Sequence, residues 1–261
     1  MSGGSNPSRP VFFMDAFIFI LVLFLIAYLY SVTGHGGGSA YLALFLLLGS
    51  GPTEAKFFAL SLNVIVAFLA FFNFKKAGFL DFALVWPLLL GSMPAVFLSA
   101  KLPPGIDFYN QVVGFLLIVL AVKLFRKSKN NFTAKEKPKT LILIFTGFLI
   151  GALAGFIGIG GGIFLSPILI FFGWANPRKT AAASSIFVLA NSFLGVVSIF
   201  QTFGEKISED VYLPSAFLLF GSIVALASWM GSSLGSKRLN KFVMNRALGV
   251  ILLIASLRLF L

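Results

Sequence analysis

Long apolar stretches follow one another along almost the whole chain, and this feature constrains the fold more than any other. A helix that crosses a bilayer needs about 20 mostly apolar residues, because lipid cannot hydrogen-bond to its backbone. Of the 261 residues, 59% are hydrophobic and 11% are charged, whereas roughly 25% of the residues in a soluble domain are charged. There is too little polar surface to cover a globule in water. The sequence therefore predicts an all-α, polytopic membrane helical bundle.

The apolar stretches fall into ten segments, five on each side of a polar and basic stretch at 126–139. The second segment of each set has only about 11 residues, which as a helix is roughly 16 Å long and spans half a bilayer. The segments lie at 12–33, 38–49, 54–74, 82–100, 108–125, 140–157, 162–173, 178–203, 211–235 and 242–261.

These segments define four regions of the chain. The first residues are polar and contain Ser-Gly-Gly-Ser, so we interpret them as a flexible N-terminus and a candidate added stretch ahead of a native start near Met14. The regions are the N-terminus at 1–11, a first transmembrane repeat at 12–125, a basic cytoplasmic linker at 126–139 and a second transmembrane repeat at 140–261.

The two halves resemble each other at several separate places in the same order, which indicates an internal duplication. The matches are Gly34-His35-Gly36-Gly37-Gly38 with Gly158-Ile159-Gly160-Gly161-Gly162, Pro52 with Pro177, Ala59-Leu60-Ser61 with Ala183-Ser184-Ser185, and Asn110–Phe125 with Asn245–Phe260.

Loop charges predict how the halves are oriented. Basic turns at 75–81, 174–179 and 236–246 join the basic linker on one side if all ten segments change sides, and the acidic turn at 203–210 then lies outside. Five segments per half make the second repeat upside down relative to the first. The alternative of four crossings per half places the 236–246 turn outside. We therefore favour two inverted repeats of about five segments, although the short segments could reach only the midplane.

Each half is interrupted by its glycine motif, where we expect a broken helix. Glycine is a poor residue inside helices, and backbone freed within a bilayer must be buried in protein or line a watery cavity. The helices that begin at Gly38 and Gly162 present unpaired N–H groups and a positive dipole end, which together suit an anion. Inverted repeats would bring both motifs to the midplane. The alternative is that the glycines only permit close helix packing.

The second motif also carries a resemblance to a known family. The run Gly155-Phe-Ile-Gly158-Ile-Gly160-Gly161-Gly162, followed by Pro167, Pro177 and Ala182-Ala183-Ser184-Ser185, resembles the sulfite exporter TauE/SafE family of bacterial membrane proteins. The likeness covers essentially the whole chain. It implies transport of a small anion, with sulfite and organosulfonates such as sulfoacetate as the usual substrates. His35 stands where the second motif has Ile159, and the first half lacks a counterpart of Gly155, so the resemblance carries over no particular substrate.

His35 is the only histidine and lies inside the first glycine motif. Because its charge changes near neutral pH, it is a candidate for binding the anion or coupling transport to protons. The alternative is a hydrogen-bonded loop histidine at a membrane face.

Polar side chains inside apolar segments supply further candidates. Neutral hydroxyl and amide donors suit a dehydrated oxyanion, because a full opposite charge would hinder its release; the same residues also join helices to one another. The matched pair of Ser61 and Ser185 is the favoured candidate. The complete set of candidate substrate-binding residues is His35, Gly36, Gly37, Gly38, Ser61, Asn63, Gly160, Gly161, Gly162, Arg178, Ser184 and Ser185.

Charged residues are few within the segments. Arg178 is a candidate for attracting an anion. Glu54, Lys56 and Lys179 lie, like Arg178, at the starts of segments, where reaching out to the membrane interface is the simpler interpretation.

Several classes of function are excluded or disfavoured. The chain has no cysteine, no Walker motif and no HExxH motif, so we expect neither an enzyme nor a metal or cofactor site. The net charge of +12 lies in short loops, which favours membrane orientation over nucleic-acid binding.

The sequence and the resemblance together predict a multi-pass protein of the bacterial inner membrane. We expect a secondary transporter, an exporter of sulfite or an organosulfonate, that works by alternating access. The alternatives are an anion channel and, less favoured, a membrane scaffold without a ligand. The oligomeric state, the direction of transport and the coupling ion cannot be read from the sequence.

Overall fold

The computed structural model describes residues 9–47, 50–102, 138–210 and 214–237, together with residues 118, 122, 243, 246, 249, 250 and 253. All the regular structure in these described residues is α-helical. Eight helices have described bounds: α1 Arg9–Val32, α2 Gly38–Leu47, α3 Pro52–Lys76, α4 Phe82–Ser99, α5 Thr140–Ile157, α6 Gly162–Phe171, α7 Pro177–Asp210 and α8 Pro214–Lys237.

The all-helical architecture is confirmed for the described residues. Within the described residues, five helices are long and apolar enough to cross a bilayer: Pro52–Lys76, Phe82–Ser99, Thr140–Ile157, Pro177–Gly204 and Phe217–Lys237. Most residues of the predicted segments 108–125 and 242–261 lie outside the described residues, so the count of ten segments stays a prediction. The proposed division of the chain into four regions is likewise untested.

The outer faces of these helices carry large apolar side chains. Leu141, Leu218 and Leu98 have exposed fractions of 75%, 70% and 66%. Such side chains would be unfavourable in water, but they are solvated by lipid, because hydrocarbon surrounds the hydrophobic band of a membrane protein.

Two boundaries differ from those read from the sequence. Residues 203–210, expected as an acidic turn, continue α7 as helix through Asp210. Gly204 alone does not end the helix, because Glu205 and Lys206 are good helix formers and no proline follows until Pro214. At the other end of the chain, α1 begins at Arg9, within the region assigned to a flexible N-terminus.

The starts of α3 and α7 follow from local sequence. Both helices have proline as the first residue, where its missing N–H costs nothing. The Glu54 carboxylate accepts from the Gly51 N–H at 3.2 Å, and the Asn176 side-chain oxygen accepts from the Lys179 N–H at 3.0 Å.

Helices α3 and α7 cross antiparallel at the centre of the bundle. Along α3, Asn63 contacts Ser192 and the Phe57 ring lies 6.4 Å from the Phe200 ring, while Phe74 packs against Ala181 at the other end. The sequence numbers therefore rise along one helix as they fall along the other.

Four of the remaining helices pack in two parallel pairs around this crossing. In α4 and α5, a methyl group at Gly147 would meet Leu88 and one at Gly155 would meet Val96 and Ser99. In α1 and α8, Phe19 contacts Phe220 and Val32 faces Gly235. Helix α4 of the first half corresponds to α8 of the second half, and α5 corresponds to α1. The α4–α5 and α8–α1 pairs are therefore equivalent, so corresponding helices have corresponding packing partners.

Glycines four residues apart form the contact surfaces of both pairs. They are Gly147, Gly151 and Gly155 in α5, and Gly231 and Gly235 in α8, and a Cβ at each would overlap backbone or side-chain atoms of the partner helix. Small residues at this spacing let two helix backbones approach closely. The resulting van der Waals contacts hold the helices together in a bilayer, where lipid leaves no hydrophobic driving force between them.

This close approach predicts that Gly91→Ala destabilises the protein. A Cβ at Gly91 would overlap the Ile144 carbonyl oxygen of the neighbouring backbone, and overpacking of this kind costs about 1–3 kcal/mol. We expect a lower midpoint of thermal unfolding in detergent.

Gly204→Ala is the matched control, because a Cβ there meets only the Phe200 ring at ordinary distances from 3.5 Å. The two variants unfolding at the same temperature would contradict the close contact between α4 and α5.

Candidate functional site

Two glycine turns separate α1 from α2 and α5 from α6. Positive φ angles occur at Gly34 (74°) and Gly37 (99°) in the first turn, and at Gly158 (86°), Gly160 (73°) and Gly161 (84°) in the second. Side chains with a Cβ rarely adopt this conformation, so the turns require glycine. The first turn buries His35, Gly36 and Gly37, and the second buries Ile159, Gly160 and Gly161.

The two turns meet against the middle of α3 and α7. A Cβ at Gly36 would overlap the Asn63 side-chain oxygen, and a Cβ at Gly160 would lie 2.8 Å from the Asn63 nitrogen. A Cβ at Gly38 would lie 3.1 Å from the Ile159 carbonyl oxygen of the other turn. We call this region the central junction and define it as His35, Gly36, Gly38, Asn63, Ile159, Gly160, Gly162, Val188 and Ser192.

Asn63 ties three elements together at the junction. Its Nδ2 group donates to the Ile159 carbonyl oxygen at 3.4 Å and to Ser192 Oγ at 3.2 Å. The side chain is fully buried, and its Oδ1 atom has no hydrogen-bond partner. Because an amide oxygen can only accept, this atom is available to a donor.

His35 lies on the opposite turn and is also buried, with an exposed fraction of 1%. Its Nδ1 atom lies 2.8 Å from Thr33 Oγ1, and its ring lies 3.3 Å from where a Cβ on Gly162 would be. The Thr33 hydroxyl proton is already donated to the Tyr30 carbonyl oxygen at 3.1 Å. Which ring nitrogen carries the proton depends on the tautomer of His35. The Nε2 atom has no hydrogen-bond partner.

Two more buried polar atoms lack partners near the junction. They are the Tyr41 hydroxyl, whose ring lies close to Gly37, and Asn191 Nδ2 on α7. The Asn191 oxygen accepts from Ser92 Oγ at 2.9 Å, which links α7 to α4. Buried polar groups usually have partners, so four such atoms among the described residues mark the centre of the bundle as a candidate site.

The structure brings some of the predicted site residues together and leaves others apart. The predicted residues that meet at the central junction are His35, Gly36, Gly38, Asn63, Gly160 and Gly162. Gly37 instead lies against Tyr41, and Gly161 lies against Phe187. Ser184 instead pairs with Ser166 on α6, their hydroxyl oxygens 2.7 Å apart. The favoured pair, Ser61 and Ser185, donates to backbone carbonyls of its own helices, at Phe57 and Ala182 respectively.

Arg178 is also remote from the junction. Its guanidinium lies 5.3 Å from the centre of the Phe79 ring, at the end of the bundle where α3 is followed by α4. Its neighbour Lys179 lies 4.0 Å from Asp81 in the same region. A role for Arg178 in attracting an anion stays a prediction.

Lys56 corrects an expectation from the sequence. Its side chain does not reach out to the interface but is buried, with an exposed fraction of 1%. Its Nζ donates to the Ala100 and Phe156 carbonyl oxygens, both at 3.0 Å. These carbonyls end α4 and α5, so one ammonium neutralises the negative dipole ends of two parallel helices.

The stem of Lys56 also supports the second glycine turn. A Cβ at Gly158 would overlap the Lys56 side chain, whereas a Cβ at Gly34 in the first turn would overlap the Ala181 backbone. The two turns are therefore held in similar places by different groups, and only one of them rests against a cation.

Metal binding finds no support in the described part of the chain, where no group of three or more His, Cys, Asp or Glu side chains could hold an ion. What the junction offers instead is neutral acceptors, amide and hydroxyl groups and two helix starts.

Comparison with known proteins identifies the family. The family model described as Sulfite exporter TauE/SafE matches residues 19–259. The chain belongs to this family. The resemblance read from the second glycine motif is thereby confirmed.

Relatives of similar length support the same conclusion. The probable membrane transporter protein y4hK of Sinorhizobium fredii is 30% identical over 243 residues, which cover 92% of the chain and 96% of the relative. The probable membrane transporter protein YjnA of Bacillus subtilis is 26% identical over 266 residues, which cover 94% of the chain and 100% of the relative.

A third likeness covers only part of each protein. The sulfite exporter TauE/SafE family protein 6 of Arabidopsis thaliana is 34% identical over 88 residues, which are 34% of the chain and 20% of that protein. No solved structure is significantly similar to the chain. The chain is thus a bacterial-type, multi-pass membrane transporter and not an enzyme.

The position of Lys56 predicts a strong effect of charge reversal. In Lys56→Glu a carboxylate would face two carbonyl oxygens and two negative helix ends, so we expect a loss of at least about 3 kcal/mol in the free energy of unfolding. Lys56→Met keeps the apolar stem and removes the buried charge, so its loss should be smaller. Thermal unfolding in detergent measures both.

Lys76→Glu provides the control, because Lys76 is exposed in the last turn of α3 and reversal there costs only about 0.3–1 kcal/mol. If Lys56→Glu were as stable as this control, Lys56 would not be buried against the ends of α4 and α5.

Proposed function

We propose that the chain is a secondary transporter that exports a small anion, sulfite or an organosulfonate such as sulfoacetate, by alternating access at the central junction. The observation that carries the proposal is the meeting of two glycine turns at buried polar groups without partners. Such groups cost free energy when they are left unpaired, so a protein keeps them where a ligand or a conformational change uses them.

The inverted repeat is part of this proposal, and the central crossing supports it. Helices α3 and α7 occupy matching places in the two halves and run antiparallel, while α4–α5 and α8–α1 are matching parallel pairs. A two-fold axis in the membrane plane produces this relation, and it turns one half of the chain upside down relative to the other.

The helix starts support an anionic substrate. Helix α2 begins at Gly38 and α6 at Gly162, and both residues border the central junction. No side chain caps α6. A helix N-terminus carries about half a positive charge and unpaired N–H groups, which favour an anion without binding it as tightly as a full cation.

Burial of the junction favours a carrier over a channel. His35 is 1% exposed and Asn63 is 0% exposed, so this conformation has the site closed from both sides. A carrier passes through such an occluded state in each cycle. His35 is the candidate for coupling to protons, since its ring is buried at the junction and its Nε2 has no hydrogen-bond partner.

Uptake of radiolabelled sulfite, sulfoacetate and related anions into liposomes that contain the purified protein tests the function. We expect a saturable rate in the wild type and a fall of at least about tenfold, or about 1.4 kcal/mol, in Gly160→Ala. The physical reason is that a Cβ there would lie 2.6 Å from Ser192 Oγ, on a backbone with φ 73°.

Gly78→Ala is the matched control, since Gly78 has a similar φ of 77° but no atom within 4 Å of the added Cβ. If liposomes that contain the wild-type protein show no saturable uptake of any small anion, the proposed function is excluded. Ion currents larger than a cycle of conformational changes can produce would indicate a channel and not a carrier.

A further inference from the structure

The central junction has a buried acceptor to spare, and this property says which form of an anion it suits. Asn63 Oδ1 is buried and lacks a hydrogen-bond partner. The orientation of the Asn63 amide is set by the Ile159 carbonyl oxygen, which can only accept and so selects the Nδ2 group.

A fully deprotonated oxyanion cannot satisfy this atom. All its oxygens accept, and two acceptors brought together repel each other. A ligand that keeps one O–H group can donate to Asn63 Oδ1, while its charged oxygens accept from the N–H groups at the starts of α2 and α6. The junction therefore has partners for both ends of a protonated oxyanion.

The charge of the site points to the same form. Each helix start supplies about half of a positive charge, so α2 and α6 together offer about one. The buried cation in the described part of the chain, Lys56, is engaged by the Ala100 and Phe156 carbonyls beyond Gly158. The cost of taking an ion out of water rises with the square of its charge, so two helix starts match a single negative charge far better than two.

We propose that the central junction selects a singly charged oxyanion that still carries one proton, such as hydrogensulfite, over the dianion that remains when this proton is lost. This inference rests on the proposed function and narrows its substrate. The ligand donates this proton to Asn63 Oδ1 in a hydrogen bond, and the proton travels with the ligand.

A pH dependence that comes from titratable groups of the protein must be distinguished from one that comes from the ligand. Among the described residues at or beside the junction, these groups are His35, Tyr41 next to Gly37, and Lys56 next to Gly158. The residues that α7 contributes, Val188 and Ser192, do not titrate. A pH effect that comes from the protein has the same midpoint for every substrate, whereas one that comes from the ligand moves with the ligand.

Uptake of sulfite and of selenite into liposomes, with equal pH on both sides, makes this distinction in the wild type. Selenite loses its second proton at higher pH than sulfite does. We expect the KM for total anion to rise tenfold per pH unit above each ligand's own pKa, and the KM expressed as the protonated form to stay constant. The midpoints for sulfite and selenite should differ by the difference between their pKa values.

A common midpoint for both ligands, or a KM that is constant when expressed as the dianion, would overturn the inference while leaving anion transport intact. Absence of saturable uptake of either anion at any pH would instead remove the proposed function itself.

Methanesulfonate supplies a second measurement, because it has one negative charge and no O–H donor. At a pH where hydrogensulfite predominates, we expect methanesulfonate to compete at least about tenfold less well than sulfite, since it leaves a buried acceptor unpaired. In Asn63→Leu this preference should shrink, while Thr146→Val, which alters a half-buried hydroxyl bonded within α5, should keep it. Equal competition in the wild type would contradict a role for the ligand's proton.

Discussion

Backbone that leaves a helix inside a membrane must find partners in the protein, and the centre of this bundle is organised around that constraint. Both glycine turns lie against the crossing of α3 and α7, where Asn63 donates to the Ile159 carbonyl of the second turn. The first turn touches the same side chain through Gly36. The Asn63 side chain therefore contacts both turns, and the turns determine where the short helices α2 and α6 begin.

Lys56 shows how the two halves differ within a shared plan. Its ammonium joins the ends of α4 and α5 and its stem supports the second turn, whereas the first turn rests on the Ala181 backbone. An ammonium near the start of its own helix is unfavourably placed with respect to that dipole, so the two helix ends that it neutralises must compensate. A buried charge of this kind is costly in a bilayer and is a default candidate for function.

Hydropathy and repeated motifs were enough to predict the helices and the meeting of the turns. Eight of the ten expected segments have helices with described bounds that differ from the predicted bounds by only a few residues, except where α7 continues to Asp210. The direction in which individual side chains point was harder to predict. In helices that are apolar all round, no amphipathic pattern says which side faces the centre, so Ser61 and Ser185 were favoured although each bonds within its own helix.

The missed residues have the same physical explanation. Lys56 lies one turn inside α3, a position from which its long side chain can reach either the interface or a neighbouring helix end, and the sequence does not distinguish them. Ser192 was missed although it adjoins Asn191, a polar candidate inside the same apolar helix, so a polar pair was a usable signal. The partners of this pair, on α3 and α4, depend on helix packing that is not encoded in local sequence.

The packing also constrains how such a bundle can move. The α4–α5 and α1–α8 pairs are joined through glycines that bring their backbones into contact, so each pair moves as a unit at lower cost than it separates. The polar contacts of Asn63 with Ile159 and Ser192 are longer, at 3.4 and 3.2 Å, and they are the ones a ligand with its own donors and acceptors can replace. Under the proposed function, a ligand at the junction exchanges these contacts for its own, so the crossing of α3 and α7 is where opening to either side would begin.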